Sequence, residues 1–596
     1  MAYFDMKDDQ LIKLIENRWA SSASIWDEIQ KVTEANTKIY KGDCAWWNNA
    51  RIPPTRPKVN SSRVFTNTEA VINALIANPP RPNVLPGRIS PSAKELSSIL
   101  EGYLNISYDK LNTKEVLRQG LRDLFLSRLI VLKPYWNHKT NDFDVKRVDP
   151  KKVRFSVKAK NEIESEFAIE EIDSTVAQLI AMFPDKEKDI LSVTNLDAEQ
   201  LLLQNPSCVY KEAWIGNDLF IKYKDLILYK GRNPYFDWDG LIATRDEMVT
   251  LEADDGVEYK DKIKSMKNAK LSDIGQLEEG MEDKTIQEYR KTDKEVSYEA
   301  YLFNYFDIPR KPYIFASVLG NENRPIGMTS FIEQATSLQE MVDRTVYQIF
   351  LNSEMVNGIT KVDSGLTNLS KSDAQTLRYD ANGVIFGKGV INGVGREFGQ
   401  GLPSFIFSAL EDYRKEIDNI MAASSAFRGE REGTETKAGR LALVEQSYQR
   451  LNELVQVVDY VSRELFGWWM QLMKVKYTEK HMVKQVGSDD ALKIIEISQD
   501  DLEDGIEVRI IPGKTLPEDK NFRYQRAQTD VAAGYISPLK YLEEAGYQDP
   551  KQVAKEAFEF AQNPSGTLGI EQAPPQQPEM QPSIQQPPEL AQMIGS

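Results

Sequence analysis

Two long apolar-striped helices separated by a stretch that cannot be packed away constrain this chain most. "PSFIFSALEDYRKEIDNIMAAS" (403–424) reads as amphipathic helix, and 439–476 reads as a longer one, about 57 Å if unbroken. Between them, "SAFRGEREGTETKAGRLAL" (425–443) carries seven charges: Arg428, Glu430, Arg431, Glu432, Glu435, Lys437 and Arg440. Between Phe427 and Leu441 only Ala438 is apolar. A tight turn between antiparallel helices needs two to eight residues. A loop this charged instead belongs in water or beside a charged partner. The longer helix has two stripes. Val444, Tyr448, Leu451, Val455 and Val458 form one, and Leu454, Val457, Val461, Leu465 and Trp468 the other. A helix with two apolar faces must pack against more than one neighbour.

At 596 residues the chain has room for about three to five compact units. Its formal net charge of −16 makes the chain a poor candidate for tight duplex binding, which depends on Lys and Arg displacing counterions from phosphates. An acidic surface suits DNA that must slide past without sticking. The two cysteines, Cys44 and Cys208, form no disulfide framework. No segment reads as a signal peptide or as a membrane span; the nearest window, 455–473, contains Asp459, Arg463 and Glu464.

The remaining pattern is mixed. Residues 1–41 read as amphipathic helix, and 66–86 as a helix capped at Thr66 or Asn67 and stopped by Pro79-Pro80. Residues 91–132 hold two more helices, the second running straight into a strand. The stretch 130–236 is strand-rich, with a hairpin turn at Gly216-Asn217-Asp218. Residues 239–296 are a charged insertion, helical and solvated or disordered. "RPIGMTSFIEQATSLQEMVDRTVYQIFLNSEM" starts a helix about 40 Å long, with Ser330 and Glu333 placed as a capping box. A Gly-rich segment with short strands (356–402), strands within 482–516, a small helical unit (518–562) and a Pro/Gln-rich disordered tail (563–596) complete the chain.

Sites for chemistry are scarce. With only His138 and His481 there is no easy histidine metal cluster or catalytic pair. "GVIFGKGVINGVG" (383–395) has no following helix, so its glycines read as turns or bulges in short strands rather than a dinucleotide fingerprint. No P-loop is present, and "FDWDG" (236–240) lacks the spacing of a calcium loop. No catalytic, cofactor or metal residues are expected, and the chain is not expected to be an enzyme.

The order of these parts resembles the portal proteins of tailed double-stranded DNA bacteriophages. "VNSSRVFTNTEAVINALIANPPRPNVLP" (59–86), "GLRDLFLSRLIVLKPYWNHKTNDFDVKRVDP" (120–150), "RPIGMTSFIEQATSLQEMVDRTVYQ" (324–348) and "SSAFRGEREGTETKAGRLALVEQSYQRL" (424–451) carry the likeness. Together it covers most of 1–562; the 239–296 insertion and the tail have no counterpart. It implies an α+β portal fold: a wing (1–318 and 477–517), two stem helices (319–355 and 403–424), a clip (356–402), a tunnel loop (425–438), the 439–476 helix from tunnel to wing, and a crown (518–562). It also implies a ring, usually of twelve copies, at one capsid vertex in the virion, assembled in the host cytoplasm. Its partners would be the major capsid protein, the terminase motor, neck or adaptor proteins and passing double-stranded DNA, with no membrane. Arg428, Glu430, Arg431, Glu432, Glu435 and Lys437 would line the DNA channel. Three positives and three negatives neither grip nor repel strongly, whereas a wholly basic ring would brake a duplex carrying one charge per about 1.7 Å. In such a ring one stripe of the long helix can pack within the subunit and the other against the next; the alternative is a helix buried inside one large chain, which also accounts for Trp468 and Trp469. The rival readings are another virion ring or head-tail adaptor with no DNA-gripping role, and a nucleotide-dependent enzyme with an unrecognised site.

Overall fold

The computed structural model describes residues 3–43, 59–77, 79–86, 91–194, 206–238, 241–244, 299–301, 304–320, 325–356, 359–363, 365–367, 370, 390–397, 401–423, 451–478, 481–486, 492–497, 502, 506–511, 541–542 and 553–555. The chain divides into two units, 1–485 with 492–516, and 486–491 with 517–596. In the second, the described residues include two helical fragments, 541–542 and 553–555. The first is α+β, mixing long helices with antiparallel sheets.

It begins with two helices where the sequence suggests one: α1 (Asp8–Ser21) and α2 (Ala23–Tyr40). The break is at Ser22, whose backbone leaves helical geometry and whose hydroxyl donates back to the Trp19 carbonyl. The bend lets Leu11 and Ile15 of α1 join a different core cluster from Ile25, Trp26 and Ile29 of α2. α3 (Arg63–Ala77) starts earlier than the cap residues predict. Asn67 and Thr68 are buried inside it, and the Thr66 hydroxyl bonds Ser62 O one turn back. The helix does end before the proline pair. Those prolines then lead into a strand the sequence reading missed, β1 (Arg81–Leu85).

α4 (Pro91–Lys110) and α5 (Thr113–Ser127) follow, joined through Asn112 at φ 51°. α5 passes through Arg128 into β2 (Leu129–Asn137), which pairs with β3 (Asp142–Arg147). β4 (Val153–Phe155) and β5 (Phe167–Thr175) then open a five-stranded antiparallel sheet. Two helices interrupt the strand-rich region unannounced: α6 (Val176–Met182), with a full capping box at Thr175 and Gln178, and α7 (Glu187–Thr194). β6 (Ser207–Ile215), β7 (Asp218–Tyr223) and β8 (Leu226–Arg232) complete the order β4-β5-β6-β7-β8. The predicted β6–β7 turn is present, with Gly216 at φ 58°, a conformation glycine adopts without strain.

β9 (Leu241–Thr244) and β10 (Glu299–Tyr301) pair at the two ends of the charged insertion. The insertion between them, 245–298, lies outside the described residues. β11 (Ile314–Ser317) joins β2, giving the order β11-β2-β3. α8 (Phe331–Val356) is the predicted long helix. Ser330 caps it through Glu333 N (3.2 Å), but the Glu333 carboxylate serves Arg128. β12 (Ile359–Val362), the one-turn α9 (Val390–Gly393) and β13 (Val394–Glu397) follow, with β12 and β13 antiparallel. Of the glycines in 383–395, Gly393 closes α9 and Gly395 sits in β13 opposite Lys361; Gly387 and Gly389 lie outside the described residues. α10 (Phe405–Ile420) and α11 (Asn452–Lys476) are the last long helices. β14 (His481–Val486) pairs with β15 (Leu492–Ile497), and β16 (Glu507–Ile511) pairs antiparallel with β1.

α11 is the axis of the main core. Every residue from Leu465 to Lys474 is buried. Trp469 stacks on Phe143 at 4.9 Å, and Trp468 packs edge-on against Phe306 at 5.3 Å. One amide keeps this apolar helix in register. Gln471 donates to Tyr235 O and Asn304 Oδ1 and accepts from the Tyr305 and Phe306 amides, so all its bonding capacity is used. Leu451, Leu454, Val457, Val458, Val461, Leu465 and Trp468 are all buried within the same chain. Over the described helix, then, both apolar stripes are satisfied inside the subunit. Val455 is half-buried against the same core, so the described part of α11 fits a helix buried within one chain. Val444 and Tyr448 lie outside the described residues.

Candidate channel hairpin

α8 and α10 pack as an antiparallel pair joined through β12 and β13. Their base is gripped by the segment that opens α3. Asp418 on α10 accepts from Arg63 Nε (2.8 Å), Arg63 Nη2 (2.7 Å) and Asn67 Nδ2 (2.8 Å). A bidentate guanidinium with a third donor fixes both position and rotation of the helix. On α8, Asp343 accepts from Ser61 N (3.0 Å), and Gln339 donates to Ser61 O (2.7 Å) while accepting from Val64 N. Arg128, buried where α5 meets β2, closes the base by binding both Glu333 on α8 and Glu28 on α2 (2.9 Å to Glu28).

α10 then stops abruptly. Met421, Ala422 and Ala423 are buried, Ala422 turns to φ 51°, and Ala423 N returns to Asp418 O at 2.9 Å. This is a left-handed helix stop without glycine. The chain re-enters the described residues at Leu451, 1% exposed. Both feet of the charged stretch are therefore set in the main core. Arg428, Glu430, Arg431, Glu432, Glu435 and Lys437 all lie outside the described residues, as does the whole of 424–450. No sequence signal pointed to Arg63, Asn67, Gln339 or Asp418 as the anchors.

Away from the base the hairpin loses its cover. Among described residues, none in 348–353 or 401–409 is buried. Phe405 is 67% and Phe407 50% exposed, and Leu366 beside the β12 end is 55% exposed. Consecutive residues step by about 100° around a helix, so Phe405 and Phe407 point to opposite sides.

Chemistry elsewhere is thin. No group of three His, Cys, Asp or Glu could hold a metal ion among the described residues. The Asp237 amide and carbonyl both pair with the Asn304 side chain. His481 stacks on Tyr477 at 3.9 Å and bonds the Asn141 carbonyl. Cys208 is buried, and burial pushes its thiol up; Cys44 lies outside the described residues. No described helix is long and apolar enough to cross a membrane. No family model matches the sequence, and no curated protein matches it.

Proposed function

We propose that this chain is the subunit of a portal ring at one vertex of a tailed-phage capsid, a conduit for double-stranded DNA with no catalysis of its own. The observation that carries the reading is the α8–α10 hairpin. It is anchored rigidly at its base and exposes aromatic side chains on opposite sides of its far half. A subunit in a closed ring uses two different faces, one toward each neighbour. Phe405 and Phe407, exposed on the two sides of α10, are the apolar anchors that two such faces would use. The mixed-charge stretch leaves the same hairpin base with both feet held in the core, which suits a loop that must bear load from a moving polymer. In this reading the clip around β12 and β13 docks the terminase and later neck or adaptor proteins, and the wing faces the major capsid protein.

Deletion of residues 428–437 tests the channel assignment. The deletion is expected to leave ring formation intact and to lower the DNA packaged or retained per particle, measured by the DNA content of purified particles. Normal DNA content would instead leave an adaptor ring with no DNA-gripping role.

A further inference from the structure

Glu162 sits where three parts of the subunit meet: the 156–165 loop between β4 and β5, the 304–313 segment before β11, and the first half of α11. It is 1% exposed, yet its contacts are long. Arg310 Nη1 lies 3.4 Å from Glu162 Oε1 and donates more closely, at 2.7 Å, to Glu464 Oε2 on α11. The Tyr460 hydroxyl, also on α11, is 3.5 Å from Glu162 Oε2. One guanidinium therefore serves two carboxylates, and the buried one has the poorer share. Arg310 is held in place by the Phe306 ring, 3.9 Å beneath it, while its Nε finds no acceptor. Beside this cluster lies an open cleft of about 800 Å³. Its walls include Lys160 and Asn161 of the same loop and Glu453, Gln456 and Tyr460 of α11. The cleft therefore lies between the Glu162 loop and α11, the two parts that the cluster ties together.

We propose that Glu162, Arg310, Glu464 and Tyr460 form a proton-operated latch that holds the first half of α11 against the wing. With Glu162 neutral, Arg310 is balanced by Glu464 and the latch is closed. With Glu162 ionised, two carboxylates face each other across one guanidinium, and the helix is driven away from the 156–165 loop, widening the cleft between them. The inference does not depend on the portal reading, because it concerns only how α11 is held within one subunit.

Burial pushes the Glu162 carboxyl up to about 7; Arg310 opposes this and Glu464 adds to it. A carboxyl raised in the closed form stabilises that form at low pH, and the contribution is lost as pH rises through about 7. Lys311, also buried here, acts in the opposite sense. Burial pulls its amine down to about 8 against Glu162 and Glu166, so its contribution is lost as pH falls through about 8. Arg463, 3.6 Å from Glu464, is exposed and screened.

The test is hydrogen–deuterium exchange of the α11 amides 453–462 in the full chain, corrected for intrinsic rates, comparing wild-type Glu162 with Glu162→Gln, both in a Lys311→Met background so that Lys311 titrates in neither. The wild-type to variant ratio of opening is expected to rise about tenfold between about pH 6 and about pH 8.5. Glu464→Gln, which gives Arg310 wholly to Glu162, is expected to move the wild-type midpoint to lower pH. A ratio that is the same at both pH values, or a midpoint unmoved by Glu464→Gln, overturns the latch.

Discussion

Replacing Lys133 by methionine is expected to lower the unfolding free energy by about 3–5 kcal/mol, the cost of leaving buried charges without their partner. Lys133 is on β2, in the three-stranded sheet, and its ammonium reaches Glu170 on β5 (2.8 Å), Glu212 on β6 (2.5 Å) and the Tyr313 hydroxyl (3.0 Å). It is 3% exposed, and so supplies the charge that joins the two sheets in a space with almost no water. Burial pulls the Lys133 amine down, but Glu212 and Glu170 together outweigh that and hold it raised. Burial likewise pushes Glu170 up, and Lys133 and Lys146 outweigh it and hold it lowered. Both signs favour the folded state across neutral pH. The Glu170 contribution is lost as pH falls through its lowered folded value, and that of Lys133 as pH rises through its raised one. Methionine keeps the stem and leaves two carboxylates facing each other, with the neutral donors Tyr313 (2.8 Å to Glu170) and Trp214 (2.6 Å to Glu212) and the half-exposed Lys146 (3.4 Å from Glu170) in place of the buried cation. Urea unfolding at neutral pH measures the loss. A change below about 1 kcal/mol would mean that water already reaches this network.

The second large effect is on assembly. Glutamate at both Phe405 and Phe407 is expected to abolish rings and leave a folded subunit. Burying one phenylalanine contributes about 1.5–3 kcal/mol, and the two side chains face opposite sides of α10. The double substitution therefore removes an anchor from each of the two faces a ring subunit uses and places like charges there. Neither residue supports the fold, since both are at least half exposed. Sedimentation should show the monomer and circular dichroism an unchanged helix signal. Rings of wild-type mass from this variant would remove the hairpin from the subunit interface.

The long helices were legible in the sequence because periodicity over many turns is a strong local signal. α8, α10 and the described part of α11 lie where the apolar spacing puts them. The Gly216 turn was legible for the same local reason. β1 was not, because five residues after a proline pair carry no pattern of their own. Its partner β16 is more than 420 residues away, Arg81 facing Ile511. α6 and α7 were hidden because each is short and their neighbours are strongly β-forming. The charges of the 425–438 stretch were legible. The device that fixes its base was not, since Asp418 finds Arg63 across 355 residues and neither differs in sequence from any solvated charge. The two stripes of α11 were legible, but what covers them was not. Two apolar faces imply two packing partners but do not say whether those belong to one chain or to two. Here the core of a single subunit satisfies both over the described helix.

Mass measurement of the purified full chain in solution, alongside negative-stain electron microscopy, tests the central claim most directly. The account predicts closed rings of about twelve subunits with a central hole wide enough for a DNA duplex. A single species of one subunit's mass, retained at high protein concentration and with the capsid protein added, would contradict it.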